Sequence, residues 1–95
     1  MKLWIDDVRE APAGYIWCKS VNEAIDTISK NGVEELNLDH DAGDFSSQGG
    51  DYIKILDWLE ENDPNNKILF HIHSMNPVGV ENMRRIIWKN GWREI

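Results

Sequence analysis

Three short apolar runs in this chain each end against residues that bind ligands. Leu3-Trp4-Ile5 runs into Asp6-Asp7, Leu36-Asn37-Leu38 into Asp39-His40-Asp41, and Ile68 to Ile72 into His73-Ser74. Runs of this length, separated by segments of helical periodicity, read as strands of a parallel sheet alternating with helices. All carboxyl ends of an open parallel sheet lie on one edge, and ligands bind in the crevice there. The pattern therefore predicts that Asp6, Asp7, Asp39, Asp41, His73 and Ser74 meet in space. An acidic pair after a single strand is equally a turn or a helix cap. Three such ends in one chain give the pattern a functional meaning.

The segments between the runs fill in the rest. Pro12 and Gly14 mark a loop, followed by a weaker strand from Tyr15 to Lys19 whose direction the sequence leaves open. Ser20 and Glu23 form a capping box for a helix with Val21, Ala24, Ile25 and Ile28 inward, stopped at Asn31-Gly32. Ala42 to Gly50 is a polar loop. Tyr52, Ile55, Leu56 and Leu59 define a second helix ended by Asp63-Pro64. A third helix, with Met83, Ile86 and Ile87 inward, runs to Asn90-Gly91, and Trp92 to Ile95 reads as a short edge strand. The near-continuous apolar strand Ile68 to Ile72 is what a parallel sheet covered on both faces requires. The expected architecture is a small three-layer α/β sandwich, one domain over residues 1–95, with a mostly parallel sheet of four to five strands.

Composition narrows the partners. Ninety-five residues with 41% apolar content suffice for one core. The apolar runs fall far below the roughly 20 residues that span a bilayer, and Met1 to Asp6 lacks a signal-peptide core, so the expected location is the cytoplasm, without membrane contact. A net charge of −7 argues against an extended nucleic-acid surface. The last 18 residues run the other way, with Arg84, Arg85, Lys89 and Arg93 against Glu81 and Glu94: a local anion contact or a solvated helix face. Cys18, the single cysteine, excludes an intrachain disulfide and reads as a packed hydrophobe. Trp4, Trp58 and Trp88 fall in regular elements and read as structural; Trp17 and Trp92 are the two candidates for stacking on a base.

Clustered carboxylates raise one another's pKa unless a cation neutralises them, and hard cations such as Mg²⁺ or Mn²⁺ prefer oxygen ligands. The expected cofactor is one such divalent metal. His73, at its strand end, reaches the crevice as acid, base or ligand, whereas His71, about 6–7 Å deeper on the same strand face, reads as a hydrogen-bonded core residue. Ser74 either offers a hydroxyl and an amide to a phosphate or caps the following turn. His40 is either a ligand or a solvent-facing turn residue.

The string Leu3 to Arg9 with Pro12, then Leu38-Asp39-His40-Asp41, then His71-Ile72-His73-Ser74 with Asn76-Pro77, Gly79, Asn82 and Met83, resembles the cyclic-phosphate processing receiver-like family, a reduced relative of response-regulator receiver domains. The resemblance covers almost the whole chain. It implies a receiver-like (flavodoxin-like) fold and a part in processing cyclic phosphate ends in RNA repair and nucleotide metabolism. It matches Asp6 and Asp7 to the acidic metal-binding pair and Asp39 to the phosphorylated aspartate. It matches Asp41 to the position whose carbonyl reaches the metal, and Ser74 to the switch hydroxyl. Two departures stand out. Asp6 to Gly14 is too short for a helical crossover, and no lysine follows the fifth strand.

The reading that results is a metal-dependent phosphoesterase-type domain acting on a cyclic phosphate, a nucleotide or an RNA phosphate end. Asp6, Asp7, Asp39 and Asp41 are its metal ligands. His73 is the proton carrier, with Asp39 and His40 as further catalytic candidates. Ser74, Arg9 and Asn76 hold the phosphoryl group, Arg9 as a charge clamp. The alternatives are a non-catalytic receiver-like signalling or binding module with the same acidic pocket, and a small accessory protein that keeps the fold for partner binding.

Overall fold

Short strand segments, all but the last with buried apolar side chains on one face, pair in register and build the molecule. The computed structural model describes all residues, Met1–Ile95. The strands are β1 (Lys2–Ile5), β2 (Tyr15–Cys18), β3 (Glu35–Leu38), β4 (Leu69–Ile72) and the two-residue β5 (Arg93–Glu94). All pairs are parallel and the strand order is β2-β1-β3-β4-β5. This is the flavodoxin-like doubly wound order. The Tyr15 strand thus runs parallel to the first and ends one residue earlier than expected.

Helices α1 (Val21–Lys30), α2 (Ile53–Asn62) and α3 (Pro77–Lys89) carry the crossovers after β2, β3 and β4. Ser20 caps α1, accepting the Glu23 amide at 3.0 Å, while Glu23 Oε1 accepts the Lys19 amide at 2.8 Å. The α1 stop is made by Asn31, whose side-chain amide donates back to Thr27 O at 3.0 Å. Asn76 caps α3 by accepting the Gly79 amide at 3.0 Å, with Pro77 at the first helical position.

The helices account for one face only. α1 packs on α2 and α2 on α3. Leu3, Ile5, Cys18, Leu36, Leu38 and Phe70 point toward them and are buried, in one core with Ile55, Leu56, Leu59, Met83 and Ile87. The expected third layer is absent, for a chiral reason. Right-handed crossovers put connections that run in opposite directions along the sheet on opposite faces. Only β1 to β2 runs the other way, and its nine residues, Asp6 to Gly14, hold no helix. That loop crosses the second face, where Trp4 Nε1 donates to Arg9 O at 2.8 Å and the Tyr15 amide to Pro12 O at 3.1 Å.

The open face explains the side chains that depart from expectation. His71 lies on it, exposed, its ring bonded to Ile95 O at 2.8 Å, and is not a core histidine. Trp88 projects from α3 into solvent. Trp92, a candidate for base stacking, is buried and stacks on Phe70 at 5.2 Å between ring centroids. No helix is long and apolar enough to cross a membrane.

Candidate functional site

The ladder continues one residue past each strand, and this brings the polar ends together. The Asp6 amide donates to Cys18 O at 3.2 Å, the Asp39 amide to Ile5 O at 2.9 Å and the His73 amide to Leu38 O at 3.0 Å. Asp6, Asp39 and His73 therefore stand side by side on the carboxyl edge. One carboxylate oxygen each from Asp6, Asp7 and Asp39 lies within 4.8 Å of the others.

The three acids have different surroundings. Asp6 is fully buried; its Oδ1 accepts the Val8 and Arg9 amides at 3.0 and 2.9 Å, and its Oδ2 meets His73 Nε2 at 2.9 Å. Burial pushes its pKa up, but the Arg9 and Val8 amides and the His73 ring outweigh burial and hold it below the ordinary value. Asp7 goes the other way: burial first, then the charges of Asp6 and Asp39, raise it. Asp39 is half-buried and accepts the amide of His40 at 2.7 Å. Tyr52 lies beneath the group, fully buried, donating to Lys19 O at 2.7 Å. Burial and the nearby carboxylates push its hydroxyl pKa far up.

His73 sits under the edge rather than in the crevice. Its ring stacks on Trp4 at 4.0 Å and 7°, Nδ1 meets the Asn37 side chain at 2.5 Å, and Nε2 meets Asp6. Burial lowers its pKa and prevails over the pull of Asp6. Nδ1 faces the Asn37 side-chain oxygen and Nε2 the Asp6 carboxylate, so both ring nitrogens are engaged within the protein.

Arg9, Asp39, Asp41, Ser74, Met75 and Asn76 line a cleft of about 260 Å³ beside this cluster. Arg9 reaches it by spanning the edge, with Nη1 donating to His73 O at 3.2 Å. Asn76 Nδ2 approaches both Asp41 oxygens at 3.4 and 3.5 Å, and Ser74 Oγ accepts the Asn76 amide at 3.1 Å. His40 turns away from the three acids. Its Nδ1 bonds Asp41 Oδ1 at 2.9 Å, and its ring packs so closely on Gly79 that any side chain there would collide with it.

The structure thus gathers Asp6, Asp7 and Asp39 into one group and Arg9, Asp39, Asp41, Ser74 and Asn76 into one cleft. It sets His73 below the first and His40 behind the second. Sequence reasoning missed three supports. Asn37 was signalled by a polar residue between two leucines. Gly43, at φ +56°, gives the Asp7 carboxylate its room, since a Cβ there would overlap Asp7 Oδ2. Trp4 reads from the sequence only as structural, because its contacts with His73 and Arg9 depend on a loop that crosses its face.

No curated protein and no solved structure matches the chain. The family model described as the cyclic-phosphate processing receiver domain matches residues 1–89. The same residues carry the strand-end cluster and four of the five strands, and the chain belongs to the cyclic-phosphate processing receiver domain family.

Proposed function

We propose that this domain is a metal-dependent phosphoesterase that opens cyclic phosphates at the carboxyl edge of its sheet. One observation carries the reading: three carboxylates converge within 4.8 Å beside a cleft that also holds Arg9 and Ser74.

The donor set fits a hard divalent cation. Asp7 has a raised pKa with two carboxylates facing it, and a cation removes that repulsion. Asp7 and Asp39 would hold the ion, with Asp6 as a further carboxylate donor. Bound Mg²⁺ or Mn²⁺ polarises a phosphoryl oxygen and lowers the pKa of a bound water. His73 fixes Asp6 and does not meet the substrate, because both of its ring nitrogens are occupied and Trp4 covers one face.

The remaining residues bind and move protons. The Arg9 guanidinium and the Ser74 hydroxyl hold the phosphoryl oxygens. Asp41, backed by His40 Nδ1, takes a proton from the attacking water and returns it to the departing ring oxygen. Water adds to phosphorus, one ring P–O bond breaks, and the product is an acyclic phosphomonoester. The receiver lysine missing after β5 has a partial substitute in Arg9, which crosses to the end of β4.

The test is turnover of 2′,3′-cyclic nucleotides by the whole chain with Mg²⁺ or Mn²⁺. Asp39→Asn is expected to abolish it, and Asp41→Asn to lower kcat by roughly 10²–10⁴. No turnover with either metal, or full activity in Asp39→Asn, ends the reading.

A further inference from the structure

The three most exposed large apolar side chains of the molecule are Met75, Val8 and Val78, at 85%, 76% and 69%. Single exposed apolar residues are ordinary on a surface, but each of these three lines the cleft or stands within two residues of one that does. Met75 lines the acidic cleft, and Val78, two residues on from Asn76 of that cleft, lines a second depression with Pro77, Glu81, Asn82 and Arg85. Val8 precedes Arg9, the cation of the same cleft.

The charges around the cleft limit what it accepts. Arg9 is the one cation lining it, against Asp39 and Asp41. A polyanion needs a track of free cations leading away. On the neighbouring helix α3 every cation has an acidic partner, Arg84 with Glu94 at 2.8 Å, Arg85 with Glu81 at 3.8 Å and Lys89 with Glu60 at 2.9 Å, which offsets the charge a polyanion would meet there. Lys67 and Arg93 lie at the opposite, amino-terminal edge of the sheet. A cyclic phosphodiester carries a single negative charge, and one guanidinium matches it.

Resting on the function proposed above, we infer that the substrate is a mononucleotide-sized cyclic phosphate rather than an RNA end. Arg9 and Ser74 take its one anionic phosphate, and Met75 and Val78 seat its base. The thioether of Met75 suits the face or edge of an aromatic ring. Backbone phosphates of a longer RNA would meet Asp39 and Asp41 in the cleft and acid-paired cations on α3.

Three probes at equal Mn²⁺ test this: adenosine 2′,3′-cyclic monophosphate, glycerol 1,2-cyclic phosphate, and an oligoribonucleotide ending in a 2′,3′-cyclic phosphate. The nucleotide is expected to exceed the base-free diester in kcat/KM by about tenfold, the worth of one buried apolar contact. The oligoribonucleotide is expected to fall below the nucleotide. In the Met75→Ser/Val78→Ser variant the ratio of nucleotide to base-free diester is expected to fall toward one; as a ratio, it is unaffected by a general loss of activity. Equal rates with and without the base, an unchanged ratio in the variant, or a faster oligoribonucleotide would overturn the inference and leave the phosphoesterase reading standing. If none of the three is opened, the phosphoesterase reading fails and takes the inference with it.

Discussion

Asp7 holds a charge that its surroundings resist. Burial and the carboxylates of Asp6 and Asp39 raise its pKa, so the ionised form weakens the fold when no cation is present. Asp7→Asn removes that repulsion and is expected to raise Tm by about 4 °C in EDTA, while cancelling any rise produced by Mg²⁺ or Mn²⁺. Thermal melts of both proteins with and without metal check this, and a lower Tm for the variant in EDTA would contradict it. Asp6 differs although it is its chain neighbour. Two amides and His73 Nε2 already stabilise its charge, so neutralising it would leave buried donors unpaired.

At the scale of elements, the loop from Asp6 to Gly14 takes the place a crossover helix has in a larger parallel fold. It has no internal helical ladder, and its order comes from side chains that hold its start and its middle. Asp6 Oδ1 gathers two amides at its start, and Trp4 Nε1 holds Arg9 O in its middle. Arg9 in turn reaches His73 O, and the His73 ring stacks on Trp4, which closes a circuit between loop, β1 and the end of β4. Trp4→Phe keeps an aromatic face for His73 but removes the indole donor. It is expected to cost about 1 kcal/mol, read as a lower urea midpoint with unchanged m-value. The Arg9 contact is expected to loosen with it, seen as a raised KM for cyclic phosphate at nearly constant kcat. A kcat loss with constant KM would place Trp4 in a different role.

For the whole molecule, acid stability follows from the two enclosed groups with lowered pKa values in the folded state, His73 and Asp6, more than from the surface carboxylate of Glu60, which is also lowered. An unfolded His73 takes its proton near 6.5, and the folded ring only below that. Its contribution to stability is therefore complete above about pH 6.5 and is lost as the pH falls through the folded value. Asp6 behaves alike in a lower window, its contribution being lost as pH falls below 3.8 toward its folded value. Asp7 runs opposite, since its folded pKa is raised and its protonation relieves repulsion. A metal-free protein is thus expected to lose Tm between pH 7 and pH 5, at no more than about 1.4 kcal/mol per pH unit from the single histidine. His73→Gln is expected to start lower and to flatten that slope. A slope identical in the variant would assign the pH dependence elsewhere.

The strands, the caps and the acidic edge were legible in the sequence because they rest on local rules. Apolar runs must pair, Ser20 caps the helix after it, and parallel strands share a carboxyl edge; that Asn76 uses its side-chain oxygen to cap α3 came only from the structure. Asp6, Asp7 and Asp39 could be placed together on those grounds alone. What the chain order could not convey is which face each side chain meets across the sheet. His73 looks free to act when read along β4, yet Trp4, Asn37 and Asp6, from two other strands, enclose it. His40 follows Asp39 directly, yet Gly79 on α3 leaves room that draws its ring away. The missing layer has the same origin: a short β1–β2 connection was visible, but the bare second face follows only once right-handed crossovers set three helices on one side. Local patterns decide which residues reach the edge, because strand direction is a property of the backbone. Contacts across strands decide which of them remain available for chemistry, because burial depends on neighbours distant in the chain.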